Sequence, residues 1–311
     1  MVQVLGHSFP TENISKIASW LNNFIYSFHM PLFMTMSGFL FIYSGGIKNN
    51  YSSFIQGKFN RLIIPYIVLS SVGFVPKSFL SQFAMRPIDL SFNVFIRNLF
   101  IPEENVIIFF WFLPTLFLIF LISPIFLKLL TEKSYIILFT LLLVLTNILN
   151  PFINISHFNL NDVAFYLIYF WIGYLLAKYY EFIKFIINKS YVLILSTCIM
   201  IVATFNQYDS SFYKLLIAVI GITMSLSFVN FLENYNTKIL NYIDGYSYQI
   251  YLLSWFFQTF FMILIGNVFD INYWVTPLFM FLGGLILPVL TTKVVNAYLP
   301  KLNILIGMKY K

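Results

Sequence analysis

The sequence predicts an all-α, polytopic membrane helix bundle of about ten transmembrane helices, the first of them truncated. Three observations predict it. Of the 311 residues 9% are charged, 60% hydrophobic and 21% aromatic. A soluble domain carries about 25% charged residues, so the charges here are too few to cover a soluble surface. Nine segments hold the roughly 20 mostly apolar residues that a membrane helix needs. Finally, thirteen of the eighteen Lys and Arg residues fall in alternate loops and the C-terminal tail.

The elements follow in order. The opening "MVQVLGHSF" is apolar but nine residues long, too short at about 1.5 Å rise per residue to cross a bilayer. It reads as the outer half of a helix whose beginning is missing, and it lacks the basic region and long apolar core of a cleavable signal peptide. Spans follow at about 24–44, 62–82, 106–127, 134–150, 162–180, 190–206, 212–232, 246–266 and 273–295. The basic loops are those after the second, fourth, sixth and eighth helices and the tail, which places them and the C-terminus in the cytoplasm. The net charge of +7 is thus a topology signal, and nucleic-acid binding does not follow from it. Residues 83–105, "FAMRPIDLSFNVFIRNLFIPEEN", fall outside and are amphipathic in places. They suit an interfacial or re-entrant piece, or a plain connecting loop, which is the commoner case. Gly38, Gly173, Gly283 and Gly284 permit close helix packing. One cysteine, Cys198, excludes an intramolecular disulfide and any multi-Cys metal site. With no internal repeat and no soluble segment, residues 1–311 read as a single domain.

Ionisable groups at membrane depth are costly and are candidates for function. His7 in the first helix and His29 at the start of the second both fall toward the outer side, where they can meet. An imidazole titrates near neutral pH, so it can take a proton from a hydroxyl and return it. His157 reads as a solvated loop residue. No Asp or Glu completes a ligand set with the histidines, so no metal is expected. In "KFNRLIIPY", Lys58 and Arg61 stand three apart on one helical face at the cytoplasmic start of the third helix. They suit either a positive-inside anchor or a phosphate clamp. Pro65 suits a kinked or broken helix.

"VLGHS", then "FHMPLFMTMSGFLF", then "KFNRLIIPY" resemble the acyltransferase-3 family of integral membrane O-acyltransferases, in particular its fucose 4-O-acetylase-like branch. "WFLPTLFLIFLI", "YLIYFWIGYLLAKYY" and "SYQIYLLSWF" follow in the family's order. The resemblance implies a ten-helix bundle in the bacterial cytoplasmic membrane. It also implies transfer of an acetyl group from acetyl-CoA to a sugar hydroxyl of a cell-surface polysaccharide or its lipid-linked precursor. The family's essential histidine matches His7, and its basic pair for the donor's phosphates matches Lys58 and Arg61. His29 would orient His7 or bind the acceptor, and Ser37 is a candidate oxyanion donor. The family's Arg about ten residues before the histidine would precede Met1. That fits a start lying upstream, a fragment or an inactive chain. A histidine common after the "IYLL" motif is Ser254 here. The alternatives are a flippase or exporter of lipid-linked glycans, which should line a path with charges through several helices, and a glycan polymerase with a large outer loop. Ionisable groups instead concentrate in the first two helices, as a localised reaction centre requires.

Overall fold

The computed structural model describes residues 4, 16–47, 50–81, 87–129, 132–152, 159–205, 209–232, 243, 245–268 and 275–308, and every regular element among them is helical. Helices α1 (Lys16–Tyr26) and α2 (His29–Tyr43) make one span, Ser19–Tyr43. Helix α3 (Tyr51–Lys58), a π-helical turn (Phe59–Ile63) and α4 (Ile64–Phe79) make the next, Tyr51–Phe79. Helix α5 (Phe92–Phe100) leads through short 3-10 turns into α6 (Phe112–Leu129). Then come α7 (Lys133–Leu149), α8 (Leu160–Lys178), α9 (Tyr180–Ile187) and α10 (Ser190–Phe205). Helices α11 (Ser211–Leu232), α12 (Ser247–Phe261) and α13 (Val275–Tyr298) complete the bundle, and a 3-10 turn, Pro300–Ile306, follows.

All nine expected segments appear in order among the described residues. Seven helices are long and apolar enough to cross a membrane, the α9–α10 pair, bent by 77°, makes an eighth, and Ile108–Pro124 is a shorter apolar helix. Of the truncated first helix only Val4 is described. The exterior is apolar: Leu138, Leu141, Leu142 and Leu145 of α7 and Ile194 and Leu195 of α10 are exposed. Polar side chains such as Thr35, Ser70, Asn98, Asn105 and Gln258 are buried. This arrangement suits lipid, where backbone and side-chain polar groups must be satisfied internally.

Small residues let α2 and α8 touch backbone to backbone. A Cβ on Gly38 would overlap the carbonyl of Phe170, and one on Gly173 would overlap the carbonyl of Thr35. The Thr35 hydroxyl donates to the Tyr169 carbonyl at 3.0 Å across the same contact. Contact between lipid-exposed helices gains little from the hydrophobic effect, so close van der Waals approach and such hydrogen bonds hold the pair.

Of the outer segment 83–105, residues 92–100 form helix α5, the amphipathic piece that was one of its two readings. Helix α5 runs along α4, with Phe95 at 5.3 Å from Phe74 and Tyr66 donating to the Leu99 carbonyl at 2.8 Å. The chain then turns and continues as α6, burying Asn98, Asn105, Val106 and Ile107 while Arg97, Glu103 and Glu104 stay exposed. Buried irregular backbone survives only where protein satisfies it. Asn98 Oδ1 accepts from the Val106 N–H at 2.6 Å, and Asn105 Oδ1 from the Ile107 N–H at 2.9 Å. Asn105 Nδ2 donates to the Asn98 carbonyl at 2.9 Å and to Ser70 Oγ at 2.8 Å. Tyr251 donates to the Phe109 carbonyl at 2.7 Å, and Asn159 to the Trp111 carbonyl at 3.0 Å. The sequence shows why periodicity could not reveal this. The amides replace the helical hydrogen bonds from positions that carry no repeat.

Two outcomes follow. Gly173→Ala should destabilise the protein by about 1–3 kcal/mol, because the obstructing atom is backbone and cannot rotate away; thermal unfolding in detergent measures it. Asn98→Leu should cost about 1–3 kcal/mol by orphaning the Val106 N–H, whereas Cys198→Ala, at an exposed position on α10, should stay within about 0.5 kcal/mol of the wild type.

Candidate functional site

His29 sits at a break between α1 and α2. Pro31 has no N–H, so the Ser27 carbonyl loses its helical donor, and Phe28 leaves the helical conformation with φ −139°. The Ser27 hydroxyl turns back to the Phe24 carbonyl at 2.8 Å. The His29 imidazole is buried, with Nδ1 3.1 Å from the Ile25 carbonyl, and the Tyr26 ring stands edge-on at 4.8 Å. A carbonyl only accepts, so Nδ1 carries the proton, and in the neutral ring Nε2 holds the lone pair. The break therefore fixes one tautomer. Because the span begins at Ser19 rather than near residue 24, His29 lies about 15 Å along it, deeper than the helix start expected. His7 and His157 lie outside the described residues.

Lys58 and Arg61 are displaced from the expected position in the same way. Their helix begins at Tyr51, Lys58 immediately precedes the π turn Phe59–Ile63, and Arg61 stands within it. The π turn follows from Pro65, which cannot donate to Arg61. Instead the Arg61 carbonyl accepts from the Tyr248 hydroxyl at 2.5 Å. The single helical face expected for the two cations is lost with it. Lys58 Nζ stands 3.7 Å over the Phe120 ring and 5.3 Å over Phe54, while the Arg61 guanidinium lies 5.3 Å over Tyr248. They still repel one another.

No carboxylate pairs with either cation among the described residues, whose ion pairs are Arg97–Glu104 and Lys214–Asp209. Both of those pairs lie toward the opposite end, away from Tyr43 and Lys58. The Lys58 ammonium is half-buried and the Arg61 guanidinium exposed; a half-buried ammonium without a counter-charge is costly unless an anion joins it. The same end carries Lys178 and Lys184 over Tyr174 and Tyr180. It is the basic end of the bundle.

The remaining candidates divide by depth. Phe41 on α2 packs on Phe54 and Phe120, the rings that hold Lys58. His29 lies twelve residues earlier, roughly 18 Å of axial rise from that level. Ser37 lies between, about 12 Å from His29 along the axis, and its hydroxyl donates to the Phe33 carbonyl at 2.8 Å. Its one proton is therefore committed within its own helix, and the structure does not bring it to His29. Helix α12 runs antiparallel to α2, with Phe33 and Tyr251 6.5 Å apart. One turn farther from the basic end, Ser254 reaches the level of His29. It is buried, and its hydroxyl has no partner among the described residues. One more turn along, Gln258 donates to the Val4 carbonyl at 2.7 Å, and Val4 packs at Gly284. Val4 is thus docked on α12 and α13. Among the described residues no cluster of three His, Cys, Asp or Glu could hold a metal.

Sequence reasoning missed Tyr248 and Gln258. For Tyr248 a signal existed: Pro65 leaves the Arg61 carbonyl without a donor, and some side chain had to supply one.

A family model described as an acyltransferase domain, Acyl_transf_3, matches residues 2–293. No curated protein and no solved structure matches the chain significantly. The match runs from before the docked Val4, through the His29 break and the basic pair, to α13, and the chain belongs to the acyltransferase-3 family of multi-pass membrane acyltransferases.

Proposed function

We propose that the protein moves an acetyl group from acetyl-CoA to a sugar hydroxyl of a cell-surface polysaccharide or its lipid-linked precursor. One observation carries the reading: two cations without carboxylate partners among the described residues stand at the basic end, with a buried histidine roughly 18 Å deeper. Acetyl-CoA is anionic at its nucleotide end and uncharged along its pantetheine arm. Phosphates held by Lys58 and Arg61 leave that arm to run inward between helices toward the level of His29. This orientation puts the basic end and the C-terminus in the cytoplasm of a bacterial inner membrane, in keeping with the excess of Lys and Arg there. The acceptor enters from the opposite end.

In the reaction the acceptor oxygen attacks the thioester carbonyl as His7 takes its proton. The tetrahedral intermediate then collapses, the C–S bond breaks, and the thiolate receives the proton. His29, its Nδ1 proton committed to Ile25, offers Nε2 to hold the acceptor hydroxyl or the His7 ring. Ser37 has no part in this scheme because its hydroxyl is already bonded. Family membership supports acyl transfer, and the exporter and polymerase alternatives have no comparable support.

Membranes carrying the protein should incorporate label from acetyl-CoA into the surface glycan. His7→Ala should lower turnover about a hundredfold or more, as loss of a general base does. Equal incorporation by wild type and variant would remove His7 from the mechanism. Arg61→Ala should raise the KM for acetyl-CoA about tenfold with kcat little changed, because it deletes a charge-assisted contact made equally in ground and transition states. An unchanged KM in both Arg61→Ala and Lys58→Ala would sink the donor assignment.

A further inference from the structure

We propose that Tyr248 is a positioning residue for Arg61, and that the last turn of the described chain holds Tyr248 in that role. The inference rests on the reading of Arg61 as a contact to the donor's phosphates. One tyrosine meets both ends of this arginine. Its hydroxyl donates to the Arg61 carbonyl that Pro65 leaves without a helical partner, at 2.5 Å. Its ring lies under the Arg61 guanidinium at 5.3 Å. A π turn closes over one residue more than an α turn, so a return to α geometry would rotate the side chains that it carries. The hydroxyl fixes the turn, and the ring fixes the guanidinium on it.

Tyr248 itself has little freedom. Its ring stacks on Tyr251 at 6.3 Å with 10° between the planes, and Tyr251 is tied to the Phe109 carbonyl. On another side stands Gly307, in the left-handed region at φ +69°, where a Cβ would overlap the Tyr248 ring. Gly307 closes the turn Pro300–Ile306, and the Ile306 carbonyl accepts from Gln249 Nε2 at 3.4 Å. The chain after α13 thus folds back under the donor end and packs the tyrosine from below. This couples the orientation of Arg61 to a segment about 240 residues away in sequence.

The test compares two donors, acetyl-CoA and S-acetylpantetheine, which lacks the nucleotide phosphates, in membranes containing the full chain. Tyr248→Phe keeps the ring and loses the hydroxyl. It should raise the KM for acetyl-CoA about fivefold, the weight of one hydrogen bond, and leave the KM for S-acetylpantetheine unchanged. Pro65→Ala supplies the missing N–H, so Tyr248→Phe combined with Pro65→Ala should return toward the wild-type KM. A Tyr248→Phe effect of equal size on both donors, or a loss of folded protein alone, would show a general structural role and overturn the inference. So would a wild-type KM in Tyr248→Phe while Arg61→Ala is impaired. If Arg61→Ala itself leaves both donors unaffected, the phosphate reading fails, and the Tyr248 inference falls with it.

Discussion

A peptide carbonyl that loses its helical donor inside lipid has no water to turn to, and the architecture is organised around that constraint. It is met at three places. At Ser27–Phe28, before Pro31, the His29 imidazole joins the Phe28 N–H on the Ile25 carbonyl. At the π turn before Pro65, the Arg61 carbonyl is taken by Tyr248. In the turn between α5 and α6, Asn98, Asn105, Tyr66 and Tyr251 take up the loosened backbone. In the first two cases a candidate functional residue takes part in the repair. A broken helix at membrane depth must recruit polar side chains, and polar side chains at that depth are also the material of a reaction site.

The charges follow a second logic. Away from the basic end, cations are matched: Arg97 meets Glu104 and Lys214 meets Asp209. Exposed pairs of that kind contribute little to stability. Lys58, half-buried, rests on the Phe120 face and Arg61, exposed, on that of Tyr248, and an aromatic face recovers only part of what a half-buried ammonium loses. Their arrangement is therefore better suited to receiving an anion than to holding the bundle together. The bundle is held elsewhere, by the glycine contacts of α2 with α8 and by the aromatic packing around Phe41, Phe120 and Phe170. Because α2 carries His29 near its start and Phe41 near its end, that rigid helix sets the spacing between the histidine and the basic pair.

Much of this was legible early. All nine spans, their order, the packing glycines and the two prolines that mark broken helices can be read from residues 1–311. The resemblance to the acyltransferase-3 family, read from the ordered motifs, is borne out over residues 2–293, at the level of the family and not of its fucose 4-O-acetylase-like branch. Helix starts were less legible. Polar residues such as Asn22, Asn23, Ser52 and Gln56 end an apolar window, yet a helix continues through them toward the interface. His29 and Lys58 consequently lie deeper than hydropathy suggests.

Composition and charge alone fix the membrane class, the crossings and the sign of each end, because partitioning into lipid and the bias of Lys and Arg act on each segment separately. Which carbonyl Tyr248 caps, where Ser37 directs its proton, and how Asn98 and Asn105 close the turn between α5 and α6 were decided only in the folded chain. Each depends on a partner tens to hundreds of residues away or on the local course of a broken helix. A hydrogen bond between distant segments leaves no periodicity in either one.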